Sequence, residues 1–96
     1  MLSQKQIDII IDSMMPYNPV RIGIFGSVAR NEEAESSDID ILYSFKDIIR
    51  FSNFLNLQEG LENKLTKKVD LVDERFIHSK LKPLIMNDLK TIYSHE

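Results

Sequence analysis

Two short apolar runs constrain this chain more than any other feature. Residues 20–25 (VRIGIF) and 38–45 (DIDILYSF) are rich in β-branched and aromatic side chains, so each predicts a β-strand. The first run stops on Gly26-Ser27 and the second opens on Asp38-Ile39-Asp40. A buried strand ending in glycine and serine, followed by a strand opening on two carboxylates, suits a fold that presents chemistry at one end of a sheet.

The rest of the chain supplies helices for that sheet. Ser3 and Gln6 have capping-box spacing. Ile7, Ile10, Ile11 and Met14 then form an apolar stripe that predicts a first helix, stopped by Pro16. Residues 28–31 have room for one helical turn and residues 32–37 (EEAESS) read as a polar loop. Phe51, Phe54, Leu55, Leu61 and Leu65 predict a second amphipathic helix; Phe51, Phe54 and Leu55 read as core in preference to a partner surface, with room for part of that stripe to be exposed in a domain this small. Gly60 inside the helix costs about 1 kcal/mol relative to alanine. Residues 68–73 (KVDLVD) predict a third strand. Ile77, Leu81, Leu84, Ile85, Leu89 and Ile92 follow helical spacing, with Pro83 beginning or kinking the helix. Residues 91–93 are also candidates for a short edge strand. The order implies an α/β (α+β) fold, a small mixed β-sheet with helices packed on it.

Composition narrows the function classes. At 96 residues, the reading is a single domain over residues 1–96. With no cysteine, disulfide frameworks, zinc fingers and thiol catalysis are excluded. The content of 43% hydrophobic and 28% charged residues is that of a soluble globular domain. No apolar run reaches the roughly 18 residues of a membrane span, and the first residues lack a signal-peptide pattern, so a cytoplasmic location is expected. A net charge of −3 argues against binding nucleic acid by charge alone.

The chemistry concentrates in one constellation. Asp38 and Asp40 stand at i and i+2 on a strand, so their side chains share a face. Two such carboxylates repel and raise each other's pKa unless a cation lies between them. Magnesium prefers oxygen ligands and retains sites for substrate phosphates. Gly26 allows close approach of a phosphate to the backbone, and the Ser27 hydroxyl adds a hydrogen bond. Asp70, between Val69 and Leu71, is a third carboxylate and reaches the same site if its strand lies beside the second. It is then a metal ligand or the base for an attacking hydroxyl. Each piece also has an ordinary reading: a turn, a solvated strand face, a strand-edge residue. Arg30 either clamps a phosphate or pairs with Glu33 or Asp38. Glu32, Glu33 and Glu35 read as solvated loop charges, and Lys67 and Lys68 as solvated residues flanking the third strand. His78 and His95 read as surface residues, and Tyr43 and Phe45 as sheet packing.

Phe25-Gly26-Ser27-Val28-Ala29-Arg30 followed by Ser37-Asp38-Ile39-Asp40-Ile41-Leu42 resembles the signature of the DNA polymerase β-like nucleotidyltransferase superfamily. The chain most resembles its minimal nucleotidyltransferases, over residues 7–93, with residues 67–72 matching the stretch that carries their third aspartate. The resemblance implies a polymerase β-like core in which Gly26, Ser27 and, in the clamp reading, Arg30 hold the nucleotide. Asp38, Asp40 and Asp70 would bind two magnesium ions. The implied reaction is attack of a hydroxyl on the α-phosphate of an NTP with release of pyrophosphate. Many such proteins are antitoxins of a HEPN-domain partner, and some add AMP to its tyrosine, with ATP as substrate. Two positions depart from the pattern. Asn31 stands where glycine is usual, a tolerable change because asparagine adopts left-handed backbone more readily than most residues. Glu33 stands where a small residue is common. The competing function class is a non-catalytic module that neutralises its partner by contact. Retention of all three aspartates favours the enzyme.

Overall fold

The computed structural model describes residues 1–95. Helix α1 (Gln4–Met14) starts on a complete capping box: the Ser3 hydroxyl accepts from Gln6 N–H, and the Gln6 side chain accepts from Ser3 N–H. A 3₁₀ turn (Met15–Tyr17), with Pro16 near its start, ends on Asn18 in the left-handed region. The chain continues through β1 (Pro19–Phe25), α2 (Gly26–Ala29), β2 (Ile39–Phe45), α3 (Phe51–Leu65), β3 (Val69–Asp73), α4 (Lys82–Asp88) and β4 (Lys90–Ser94). A second 3₁₀ turn (Glu74–Phe76) follows β3.

The four strands form one mixed sheet in the order β3-β2-β1-β4. β1 pairs antiparallel with β2 and with β4, while β3 joins β2 in parallel. The parallel pair needs a crossover, and α3 supplies it. Alternation along the strands divides the sheet into two faces. Ile22, Ile24, Ile39, Ile41, Tyr43, Phe45 and Val69 meet Ile10 and Met14 of α1 and Leu57, Leu61 and Leu65 of α3 in the main core. Asp40 and Leu42 of β2, and Gly23 and Phe25 of β1, occupy the opposite face. There Leu89, the residue after α4, approaches so closely that a Cβ on Gly23 would lie 2.4 Å from its Cδ1.

Three expectations shift. The expected helical stripe through Ile77, Leu81, Leu84, Ile85, Leu89 and Ile92 is broken. Pro83 sits in the first turn of a short α4, Leu89 is extended, and Ile92 belongs to β4. The free edge of β1 supplies backbone hydrogen bonds, through pairings such as Ile22–Tyr93, that outweigh the local helical pattern. In α3 the core line is Leu57, Leu61 and Leu65, with Phe54 half-buried. Phe51 and Leu55, expected in the core, are 74% and 46% exposed. α2 begins at Gly26 rather than Val28, β2 at Ile39 rather than Asp38, and β3 at Val69 rather than Lys68.

Beyond the backbone of its own helix and its chain neighbours, nothing lies within 4 Å of where a Cβ on Gly60 of α3 would stand. Gly60→Ala should therefore raise stability by about 0.5–1 kcal/mol, through lost unfolded-chain entropy alone. The readout is a rise in Tm of a few degrees, about 4–8 °C per kcal/mol in a domain of this size.

Candidate active site

The site forms where β1 ends, β2 begins and β3 runs alongside. β1 ends at Phe25, and Gly26 turns the chain with φ +73°, a left-handed conformation that glycine adopts without steric cost. A Cβ on Gly26 would lie 2.1 Å from Asp40 Oδ2, so the absent side chain is what lets the turn and the carboxylate meet. The turn is closed by Arg30 N–H donating to Gly26 O at 3.2 Å and Glu32 N–H donating to Ser27 O at 2.9 Å. Asn31 has φ 59°, so it does adopt the left-handed backbone that glycine would otherwise supply.

Two of the three aspartates come from neighbouring strands and the third from the residue just before one of them. Asp40 and Asp70 are register partners in the parallel β2–β3 pair, on strands about 4.8 Å apart. Asp38 stands just before β2, two residues ahead of Asp40 and exposed; Asp40 is half-buried and Asp70 is exposed. Of the two residues that flank Asp70 in β3, Val69 is buried and Leu71 half-buried. Burial pushes the Asp40 carboxyl above the usual carboxylate range, and the charges of Asp70 and Asp38 push it further, against the opposing field of Arg30. Asp40 is therefore the carboxylate on which the charges of the other two act. Among the described residues no three acidic or histidine side chains converge into a ready-made metal cage. The donor set is nonetheless all oxygen, and its mutual repulsion is what a hard divalent cation relieves.

This strain has a stability consequence. A carboxyl whose pKa is raised in the folded state holds its proton while the unfolded chain has already lost it. Folding therefore loses stability as pH rises through that window, and the loss is complete above the folded pKa. In metal-free buffer at neutral pH, Asp40→Asn should melt at a higher temperature than the parent. The margin should shrink as pH falls into the ordinary aspartate range, which thermal melts at stepped pH would reveal.

Arg30 takes neither of the carboxylates expected for it. Its Nε donates to Glu32 at 3.0 Å and its Nη1 to Asp88, in the last turn of α4, at 2.5 Å. Glu33 instead pairs with the amine of Met1 at 2.9 Å. Lys67 is only half exposed, its Nζ donating to Glu35 O at 2.9 Å, so it ties the loop after α2 to the start of β3. Lys68 is exposed. His78 is exposed too, its Nδ1 accepting from Lys80 N–H at 3.1 Å. A trough of about 560 Å³ opens beside Asp40 and Asp70, walled mainly by Phe25, Val72, Phe76, Leu81 and Leu84.

Two positioning groups had no motif to announce them. Glu62 Oε2 accepts from Val69 N–H at 3.0 Å, and Gln58 Nε2 donates to Val69 O at 3.1 Å. Together they satisfy the outer edge of β3 one residue before Asp70. Polar residues spaced i, i+4 beside the Leu57–Leu61–Leu65 line were the available signal.

The chain belongs to the polymerase beta nucleotidyltransferase family, whose profile matches residues 5–96. It is accordingly a nucleotidyltransferase. Protein adenylyltransferase MntA of Thermococcus cleftensis is 38% identical to it over 68 residues, which cover 71% of this chain and 69% of that protein. A Methanocaldococcus jannaschii protein, named provisionally as a protein adenylyltransferase, is 40% identical over 79 residues, covering 82% of this chain and 85% of that one. In three dimensions the chain superposes with a TM-score of 0.83 on a toxin–antitoxin crystal structure with AMP-PNP, at 25% identity and covering 94% of this chain and 74% of that one.

Proposed function

We propose that this chain transfers AMP from ATP to a tyrosine hydroxyl of a HEPN-type toxin and thereby acts as its antitoxin. Residues 1–96 work as one nucleotidyltransferase domain in this reading, in the cytoplasm and with no direct contact to nucleic acid. The observation that carries it is the registry of Asp40 with Asp70 beside the Gly26 turn, with Asp38 two residues away. The adenylyltransferase relative supports AMP as the transferred group, and the toxin–antitoxin neighbour with AMP-PNP supports an adenine nucleotide and a toxin partner.

Gly26 and Ser27 receive the triphosphate, and Asp38, Asp40 and Asp70 would hold two magnesium ions. Bound there, magnesium would neutralise the carboxylates and the phosphates and lower the acceptor hydroxyl's pKa. The acceptor oxygen forms a bond to the α-phosphorus as the bond to the β-bridging oxygen breaks, and pyrophosphate leaves. Asp70, the more exposed member of the registered pair, takes the acceptor's proton.

The test is intact-mass analysis of the HEPN partner after incubation with this chain and Mg-ATP. A gain of one AMP unit, mapped to a tyrosine and lost with Asp38→Asn or on chelation of magnesium, is the expected result. Equal neutralisation of the toxin by Asp38→Asn/Asp40→Asn, with no mass gain, would establish the contact-only reading instead.

A further inference from the structure

Arg30 leaves the chain at the end of α2, where its own N–H closes the turn on Gly26 O. Its guanidinium therefore moves with the turn that carries Gly26 and Ser27. Two carboxylates hold it, and they are unequal. Glu32 is two residues away on the same loop, 65% exposed at its side chain, the kind of pair that contributes little. Asp88 is 58 residues away in sequence, and its side chain is 19% exposed. Leu89, the next residue, lies against Gly23 of β1, so the Asp88 backbone is fixed to the sheet. Among the described residues the second terminal nitrogen of Arg30, Nη2, has no protein partner and remains available to a ligand.

The alternative place for this guanidinium is the acidic site itself, since Asp40 lies against Gly26 of the same turn and feels the Arg30 charge. An arginine collapsed onto the aspartates would compete with a cation for the same oxygens. We propose that Asp88 is a positioning residue for nucleotidyl transfer, holding the Arg30 guanidinium off the aspartates and toward the phosphates of the incoming nucleotide. Asp88 acts through Arg30 and touches no reacting atom. This role rests on the nucleotide reading of the site but not on the identity of the acceptor.

The experiment is calorimetric titration of Mg-ATP into the full chain, which needs no partner protein, with thermal melts alongside. Asp88→Asn is expected to weaken Mg-ATP binding about 10-fold, the lower end for losing a group that orients a ligand-binding side chain. Asp88→Glu should recover most of the affinity. In an Arg30→Ala background, Asp88→Asn should cause no further loss, because the group it positions is gone. Unchanged affinity in Asp88→Asn overturns the proposal. So does a loss that adds fully to that of Arg30→Ala, or one that follows a fall in Tm and is not recovered by glutamate. If the parent chain binds no Mg-ATP, the nucleotide reading fails and this role with it. If the parent binds and Asp88→Asn binds equally, only this role fails.

Discussion

Asp40→Asn is expected to lower AMP transfer by about 10²–10³-fold, the range for removing one preorganised electrostatic group from an active site. Asp40 is the central carboxylate: it faces Phe25 across one strand pair and Asp70 across the other. It also feels the charge of both other aspartates. Asparagine preserves its shape but offers a cation a neutral oxygen. The same variant should be more stable than the parent in metal-free buffer at neutral pH, because a half-buried, repelled charge has been removed. Activity and stability moving in opposite directions mark a functional charge, not a structural one. The measurement is initial rate of AMP incorporation beside Tm. Retention of more than a third of the parent rate would remove Asp40 from the site.

Gly26→Ala is the second large effect, and here both readouts should fall. Alanine at φ +73° is strained, at a cost of about 1–3 kcal/mol. Its Cβ would fall 2.1 Å from Asp40 Oδ2 and 3.2 Å from its Cγ, so the carboxylate must rotate away or the turn must shift. A misplacement of about 1 Å can cost about 10²-fold in rate, and a loss of that size is expected, together with a lower Tm. Gly60→Ala is the internal control, since a methyl group there meets nothing beyond its own helix and chain neighbours and should stabilise the chain. A Gly26→Ala chain with parent activity would mean that the turn and Asp40 are not coupled.

Much of this was legible along the chain because the signals are local. The capping box at Ser3 and Gln6 formed with both hydrogen bonds, since each partner is within one helical turn of the other. Pro16 ended α1 and Asn31 took a left-handed backbone, as their own dihedral preferences dictate. The two apolar runs became neighbouring central strands of the sheet. The C-terminal stretch was legible only in part: the edge-strand candidate at residues 91–93 lies within β4, while the helical spacing before it did not continue. Its helical spacing was real, but Ile92 and Tyr93 lie in a strand against β1. Residues 90–94 suggest a strand but do not name β1 as the edge it joins. Phe51 and Leu55 misled for a similar reason. The apolar residues of α3 cover more than one face, and only packing against α1 and the sheet selects Leu57, Leu61 and Leu65.

By itself the sequence determined the groups on which the proposed site is built: a glycine that can take positive φ, and the spacing of Asp38 and Asp40. Both are properties of a few bonded residues. Tertiary structure alone decided that Asp70 stands in register with Asp40, since register is a choice between strands separated by α3. It also decided that Arg30 pairs with Asp88 and that Val69 is held by Gln58 and Glu62. Those contacts join residues far apart in the chain or on different elements. Their energies depend on distances that exist only once the sheet has closed.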